Sequence, residues 1–174
     1  MNSIREIYSK IGVDKFYSSV LNYKNPHAKS IEILLRNNHN ILPLENVLDL
    51  ACGTGLVTNI LQSLGYLNIT GLDPYLHEEY STTTNCSCYN MSFKDIVING
   101  LSQYFSCIIC SFALHLCEHS MLPSLLYRLS SISNTLVVIS PSKFPIIKNP
   151  KVEKCCLTDN KKRVHFKVYN LNGT

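Results

Sequence analysis

Two hydrophobic periods alternate along this chain, one helical and one of short buried strands, and their order predicts the architecture. Ser3 to Val20 carries Ile4, Ile7, Tyr8, Ile11 and Phe16 at roughly helical spacing. Asn25-Pro26 breaks the chain. A second helix is expected from there through Ile31, Ile33, Leu34 and Leu35 to about Asn37, with Pro26 near its first turn. After Pro43, apolar runs predict strands at Val47–Ala51, Asn68–Leu72, Phe105–Ser111 and Thr135–Ile139, with a weaker one at Cys86–Asn90. Helices are predicted between them over Gly55–Leu64, Leu76–Thr83 and Glu118–Ser130. Leu122, Leu125, Leu126 and Leu129 make one stripe on the last of these. Val152–Leu157 and Val164–Leu171 alternate around Asp159-Asn160-Lys161, the pattern of a hairpin.

Strands alternating with helices, the strands apolar throughout, imply an α/β fold: a doubly wound, mostly parallel sheet covered on both faces. The final hairpin would add antiparallel pairing at one edge. The 174 residues suit one domain, 1–174. In such sheets ligands bind beyond the carboxyl ends of the strands, where the strand order reverses. Chemistry is therefore expected at Asp49–Gly55, Asp73, Asn90–Phe93 and Cys110–His115.

Composition narrows the class. Apolar residues make up 45% of the chain and charged residues 16%, which describes a globular protein. Met1 to Glu6 holds a charge pair and no apolar core, so no secretory signal is expected. The longest apolar run, about Phe105 to Cys117, is shorter than the roughly 18 residues of a membrane span and contains His115. No membrane association is expected. Of the eight cysteines, Cys107-x-x-Cys110 resembles half a zinc site, but it lies in a predicted buried strand with no second pair at zinc spacing. Structural thiols, no metal and a reducing cytoplasmic or nuclear compartment are the expectation. The net charge of +4 is uneven. From Lys143 onward eight basic and two acidic residues give +6, and residues 1–142 give −2. A basic end can steer an anionic partner such as RNA, or be an ordinary solvated surface.

The strongest chemical signal is Val47-Leu-Asp-Leu-Ala-Cys-Gly-Thr-Gly55, a strand running into a glycine turn and then a helix. Gly53 and Gly55 remove side chains where a ligand approaches the backbone. Thr54 and the first amides of the helix can face a carboxylate. Asp49 can oppose a cationic ligand. A phosphate loop would need Gly-Lys-Ser/Thr, and Leu56-Val57 stand there instead. A dinucleotide fingerprint would want a third glycine at Thr58. Asp73, 18 residues after Gly55 and followed by Pro74, can accept bonds from both ribose hydroxyls, or be a plain turn aspartate.

Asp49-x-Ala51-x-Gly53-x-Gly55 resembles motif I of the class I S-adenosylmethionine-dependent methyltransferases. The resemblance covers about Val47 to Ile139. It implies a three-layer Rossmann-like fold with S-adenosyl-L-methionine bound across residues 46–140, residues 1–40 as N-terminal helices and 151–171 as the hairpin. It also implies that Asp73 binds ribose, that Ser92 and Phe93 lie where the adenine is cradled, and that the strand end at Cys110 faces the transferred methyl. His115 is the one nearby candidate general base. Two departures stand out: Ser92 where relatives often carry an acid, with Asp95 displaced along the chain, and Ser106 where many carry an acid at the strand's start. The Asn/Asp-Pro-Pro-aromatic motif of amino-group DNA and glutamine methylation is absent. Ser111–Glu118, Ile139–Pro145 and Tyr23-x-Asn25-Pro26-His27 resemble segments of a narrower group of methyltransferases, which implies no acceptor.

The expected activity is thus methyl transfer to an acceptor the sequence does not name: small molecule, RNA or protein. The rivals are a non-catalytic methyltransferase-like subunit supporting a partner protein, an RNA-directed enzyme using the basic end, and, more remotely, a nicotinamide oxidoreductase. The aromatic N-terminal stretch (Tyr8, Phe16, Tyr17, Tyr23, His27) can serve as a lid over the cofactor or simply pack on the sheet.

Overall fold

The structure, a computed structural model, describes residues 25–142, 144–157 and 163–173. The predicted helix at Ser3–Val20, the aromatic residues Tyr8, Phe16, Tyr17 and Tyr23, and the turn Asp159-Asn160-Lys161 lie outside them. Chain order runs α1 (Ala28–Asn38), β1 (Val47–Leu50), α2 (Leu56–Ser63), β2 (Ile69–Leu72), α3 (His77–Thr84), β3 (Cys88–Tyr89), α4 (Phe93–Asn99), β4 (Cys107–Ser111), α5 (Leu122–Ser130), β5 (Thr135–Ser140), β6 (Val152–Leu157) and β7 (Arg163–Asn170). The strands form one seven-stranded sheet in the order β3-β2-β1-β4-β5-β7-β6. β1 to β5 are parallel, and β7 lies antiparallel between β5 and β6.

The period of two in the strands sorts the core into two layers. Val47, Cys107, Ile109, Val137 and Ile139 face α1 and α2, joined by Ile31, Leu35, Val57 and Leu61. Leu48, Leu50, Ile108, Cys110 and Val138 face the other way, against Ile96 of α4 and Leu122, Leu125 and Leu129 of α5. Every residue of β1 and β2 is buried, as the apolar runs require of central parallel strands. The three leucines of α5 recur at three and four residues, so they share the face that meets the sheet.

Local chemistry sets the helix starts. The Asn25 side chain accepts from the His27 amide at 2.9 Å, and the Ala28 amide bonds the Asn25 carbonyl, so Asn25-Pro26 turns the chain into α1. Ser106, at the start of β4, staples that end of the sheet. Its hydroxyl lies 2.8 Å from the carbonyls of Pro43 and Asn46 and accepts from the Asn46 amide at 2.9 Å. It sits at the amino end of the strand, away from the site.

α4 was not expected from apolar spacing. Its signal is a capping box: the Ser92 hydroxyl accepts from the Asp95 amide, and the Asp95 carboxylate accepts from the Ser92 amide at 2.8 Å. The Ser92 hydroxyl also donates to that carboxylate at 2.6 Å, and this bond, with the one from the Ser92 amide, holds Asp95 below the usual carboxylate range.

Candidate cofactor site at the strand ends

The sheet order reverses between β1 and β4, and in such sheets ligands bind beyond the carboxyl ends at this switch point. The loop from β1 to α2 lies there. It needs an unusual backbone: Ala51, Gly53 and Gly55 all have positive φ, at 56°, 54° and 90°. For Ala51 the left-handed conformation carries a cost of about 1–2 kcal/mol.

The two glycines of this loop have different reasons to be glycine. A Cβ on Gly53 would meet no atom within 4 Å, so its backbone faces open space that a ligand can occupy. A Cβ on Gly55 would stand 2.3 Å from Cγ2 of Thr84 and 3.3 Å from the Tyr80 ring. Gly55 is therefore a packing position against α3, and only Gly53 matches the expected approach of a ligand to bare backbone. Gly55→Ala should cost about 2–4 kcal/mol, combining left-handed strain with overpacking. Gly53→Ala should cost no more than about 1–2 kcal/mol. Thermal melts of the two variants check this, and equal losses would refute the distinction.

Asp49 ends in the core. Its carboxylate is buried and accepts from the Thr58 amide at 3.2 Å and the Thr58 hydroxyl at 2.8 Å. Thr58 thereby spends its one proton, so the Tyr80 hydroxyl, 2.8 Å away, donates to Thr58. Burial pushes the Asp49 acid up to about 7 against those bonds, with Asp73 adding like charge. Burial also pushes the Tyr80 phenol up. Thr58 and Tyr80 went unseen in the sequence, although Thr58 occupies the place where a third glycine would stand. Its role there is to anchor Asp49.

Asp73 closes the loop from the β2 side. One carboxylate oxygen accepts from the Gly53 amide at 3.0 Å, and the other from the Tyr75 and Leu76 amides at 2.9 Å each. It is both the turn aspartate before Pro74 and a brace for the glycine loop. The loop is held to β2 again by the Cys52 amide, which donates to the Leu72 carbonyl at 3.1 Å.

The other expected residues divide. Ala51, Thr54 and Pro74 are half-buried around the loop. Ser92 is engaged in its capping box, and Phe93 is half-buried against the core layer of α4 and α5. The Cys110 side chain is wholly buried in that layer, so it offers a ligand only backbone. Cys107 and Cys110 point to opposite faces of the sheet, so they make no half-site for a metal. His115 is half-buried on a single 3₁₀ turn, Leu114–Leu116, that follows β4. His27 reaches the same strand end, its ring stacked on Phe112 with centroids 4.9 Å apart. Phe112 is held there at a φ of 58°. No helix among the described residues is long and apolar enough to cross a membrane.

The two carboxylates at the β1 and β2 ends suit a ligand that brings positive charge and hydroxyl donors, and the open backbone over Gly53 gives it room. Neither a protein-family model nor a curated protein sequence matches the chain. Solved structures do. The magnesium protoporphyrin IX methyltransferase of Synechocystis PCC 6803, solved with bound S-adenosylmethionine, matches with a TM-score of 0.66 at 12% identity, covering 98% of this chain and 100% of that one. The N-methyltransferase NodS of Bradyrhizobium japonicum WM9, in complex with S-adenosyl-L-homocysteine, matches with a TM-score of 0.66 at 10% identity, covering 90% and 97%. At such identities the likeness is one of fold. The chain is a doubly wound α/β protein with its switch point between β1 and β4. Its sheet, with β7 inserted antiparallel between β5 and β6, is that of the class I S-adenosylmethionine-dependent methyltransferases.

Proposed function

We propose that this protein is an S-adenosylmethionine-dependent methyltransferase. The observation that carries the reading is the brace between Asp73 and the Gly53 amide, which joins an open glycine loop to a carboxylate at the end of β2. In this reading the loop Ala51, Gly53 and Thr54 holds the methionine end, with Gly55 fixing the loop against α3 and Asp49 as the anion behind it. Asp73 and Pro74 bound the ribose, Ser92 and Phe93 the adenine, and the backbone at Cys110 the wall near the methyl. The bound cofactor supplies an activated methyl on a sulfonium. The protein's own contribution is to orient an acceptor within about 3–3.5 Å of it and exclude water. His115, beside the end of β4, is the group placed to take a proton from a hydroxyl or amine acceptor.

Titration calorimetry with S-adenosylmethionine, S-adenosylhomocysteine and NAD tests this. Micromolar binding of the sulfur ligands without NAD is expected. NAD binding alone would point to an oxidoreductase. Sulfur-ligand binding with no turnover across an acceptor screen would favour the partner-subunit reading. The basic end is partly neutralised internally, since Lys167 lies 3.4 Å from Glu153. An RNA acceptor would show binding that weakens steeply with salt.

A further inference from the structure

Two thiols meet across the middle of β2. Cys52 follows β1 in the glycine loop, and Cys88 opens β3 in register with Gly71. Gly71 has no side chain between them. A Cβ there would stand 2.9 Å from the Cys52 sulfur and 2.5 Å from the Tyr80 ring, so only glycine leaves the gap. Through it the two sulfurs come within 3.6 Å, which is van der Waals contact. Cys52 is buried and Cys88 half-buried, so Cys88 is the more accessible of the two. Burial pushes the Cys52 thiol far up and keeps its proton on it. Accepting a bond from that proton holds the Cys88 thiol below its ordinary value. Cys88, the more accessible of the two thiols, is the nucleophile of the pair.

We propose that Cys52 and Cys88 form an oxidative modification site that a hydroperoxide converts to an intrachain disulfide. The Cys88 thiolate attacks the peroxide O–O bond, giving a sulfenic acid and releasing water or an alcohol. The Cys52 sulfur then displaces the sulfenic hydroxyl, which leaves as water with the Cys52 proton. Two thiols and one peroxide thus yield one disulfide, one alcohol or water, and one further water. Each sulfur is oxidised by one electron, and the peroxide is reduced by two. Forming the bond brings the sulfurs from 3.6 Å to about 2.05 Å. The disulfide would tie the glycine loop directly to β3, over Gly71. Cys86 lies two residues away but is engaged by the Gln62 amide nitrogen at 3.3 Å.

The test is peptide mapping under non-reducing conditions after the reduced full-length protein is exposed to a few equivalents of hydrogen peroxide and its remaining thiols are blocked. A Cys52–Cys88 cross-link, lighter by two hydrogens and reversed by dithiothreitol, is expected. Cys52→Ser should leave a sulfenic acid on Cys88 that dimedone traps, and Cys88→Ser should leave Cys52 reduced. Over-oxidised Cys88 without a cross-link, a bridge from either thiol to Cys86, or oxidation confined to Cys155 and Cys156 would each overturn the proposal. The result does not depend on cofactor binding, so its failure would leave the methyltransferase reading untouched.

Discussion

Asp73→Ala should weaken S-adenosylhomocysteine binding at least about 100-fold. In the proposed site its carboxylate accepts from both ribose hydroxyls, and hydrogen bonds to a charged group are worth about 1.5–3 kcal/mol each. Loss of the pair is therefore about 3–6 kcal/mol, two decades of affinity or more. The same change removes the acceptor for the amides of Gly53, Tyr75 and Leu76. The glycine loop would loosen, and a lower melting temperature is expected as well. These two routes separate with a second ligand, an analogue lacking the ribose 2′-hydroxyl. If Asp73 binds the ribose, the wild type discriminates against the analogue and Asp73→Ala does so much less. If it only braces the loop, both ligands lose equally. Unchanged affinity in a folded variant would mean that the ribose is held elsewhere.

How much of this site could be read from residues alone depends on whether a residue acts locally. β1, its glycine turn and α2 follow one another in sequence, so their order was legible. β4 and β5 were legible too, because four or more consecutive buried positions leave a clear pattern, and β7 because Val164, Phe166 and Val168 alternate with Arg163, His165 and Lys167. α4 was hidden because its seven residues bury fully only Ile96, and a helix with so small a stripe has no periodicity to detect. Its capping box, Ser92-x-x-Asp95, is the signal that the sequence offers for it. What escaped altogether were meetings across the sheet. Gly55 is glycine because of Thr84, Thr58 matters because of Asp49 and Tyr80, and Cys52 meets Cys88 only because Gly71 is bare. None of these has a spacing rule, since each depends on which strands become neighbours.

The largest effect on stability is expected at Asp49. Its acid is raised from 3.8 to about 7 in the folded protein, chiefly by burial. The native state therefore keeps a proton that the unfolded chain gives up at lower pH. The contribution of Asp49 to stability should be full below about pH 4, fall as pH rises from about 4 to 7, and level off above, a loss of about 4 kcal/mol from this one group. Asp49→Asn cannot ionise. Its amide oxygen can still accept from Thr58, while its amide nitrogen buries N–H donors where a carboxylate oxygen stood, at a cost of about 1–3 kcal/mol. The variant should thus gain on the wild type steadily between pH 4 and 7 and be the more stable protein at pH 8. Denaturant unfolding of both proteins across that range checks it. Taking the difference cancels the histidines and other shared groups, and a difference constant with pH would refute the raised acid. The same acid bears on ligand binding. If Asp49 opposes a cationic ligand, binding must favour its ionised form and release a proton near neutral pH. Calorimetry of S-adenosylmethionine at pH 7 in buffers of different ionisation enthalpy would then show proton release in the wild type and less in Asp49→Asn. Equal release in both would confine Asp49 to anchoring Thr58, a part of the fold and not of the ligand site.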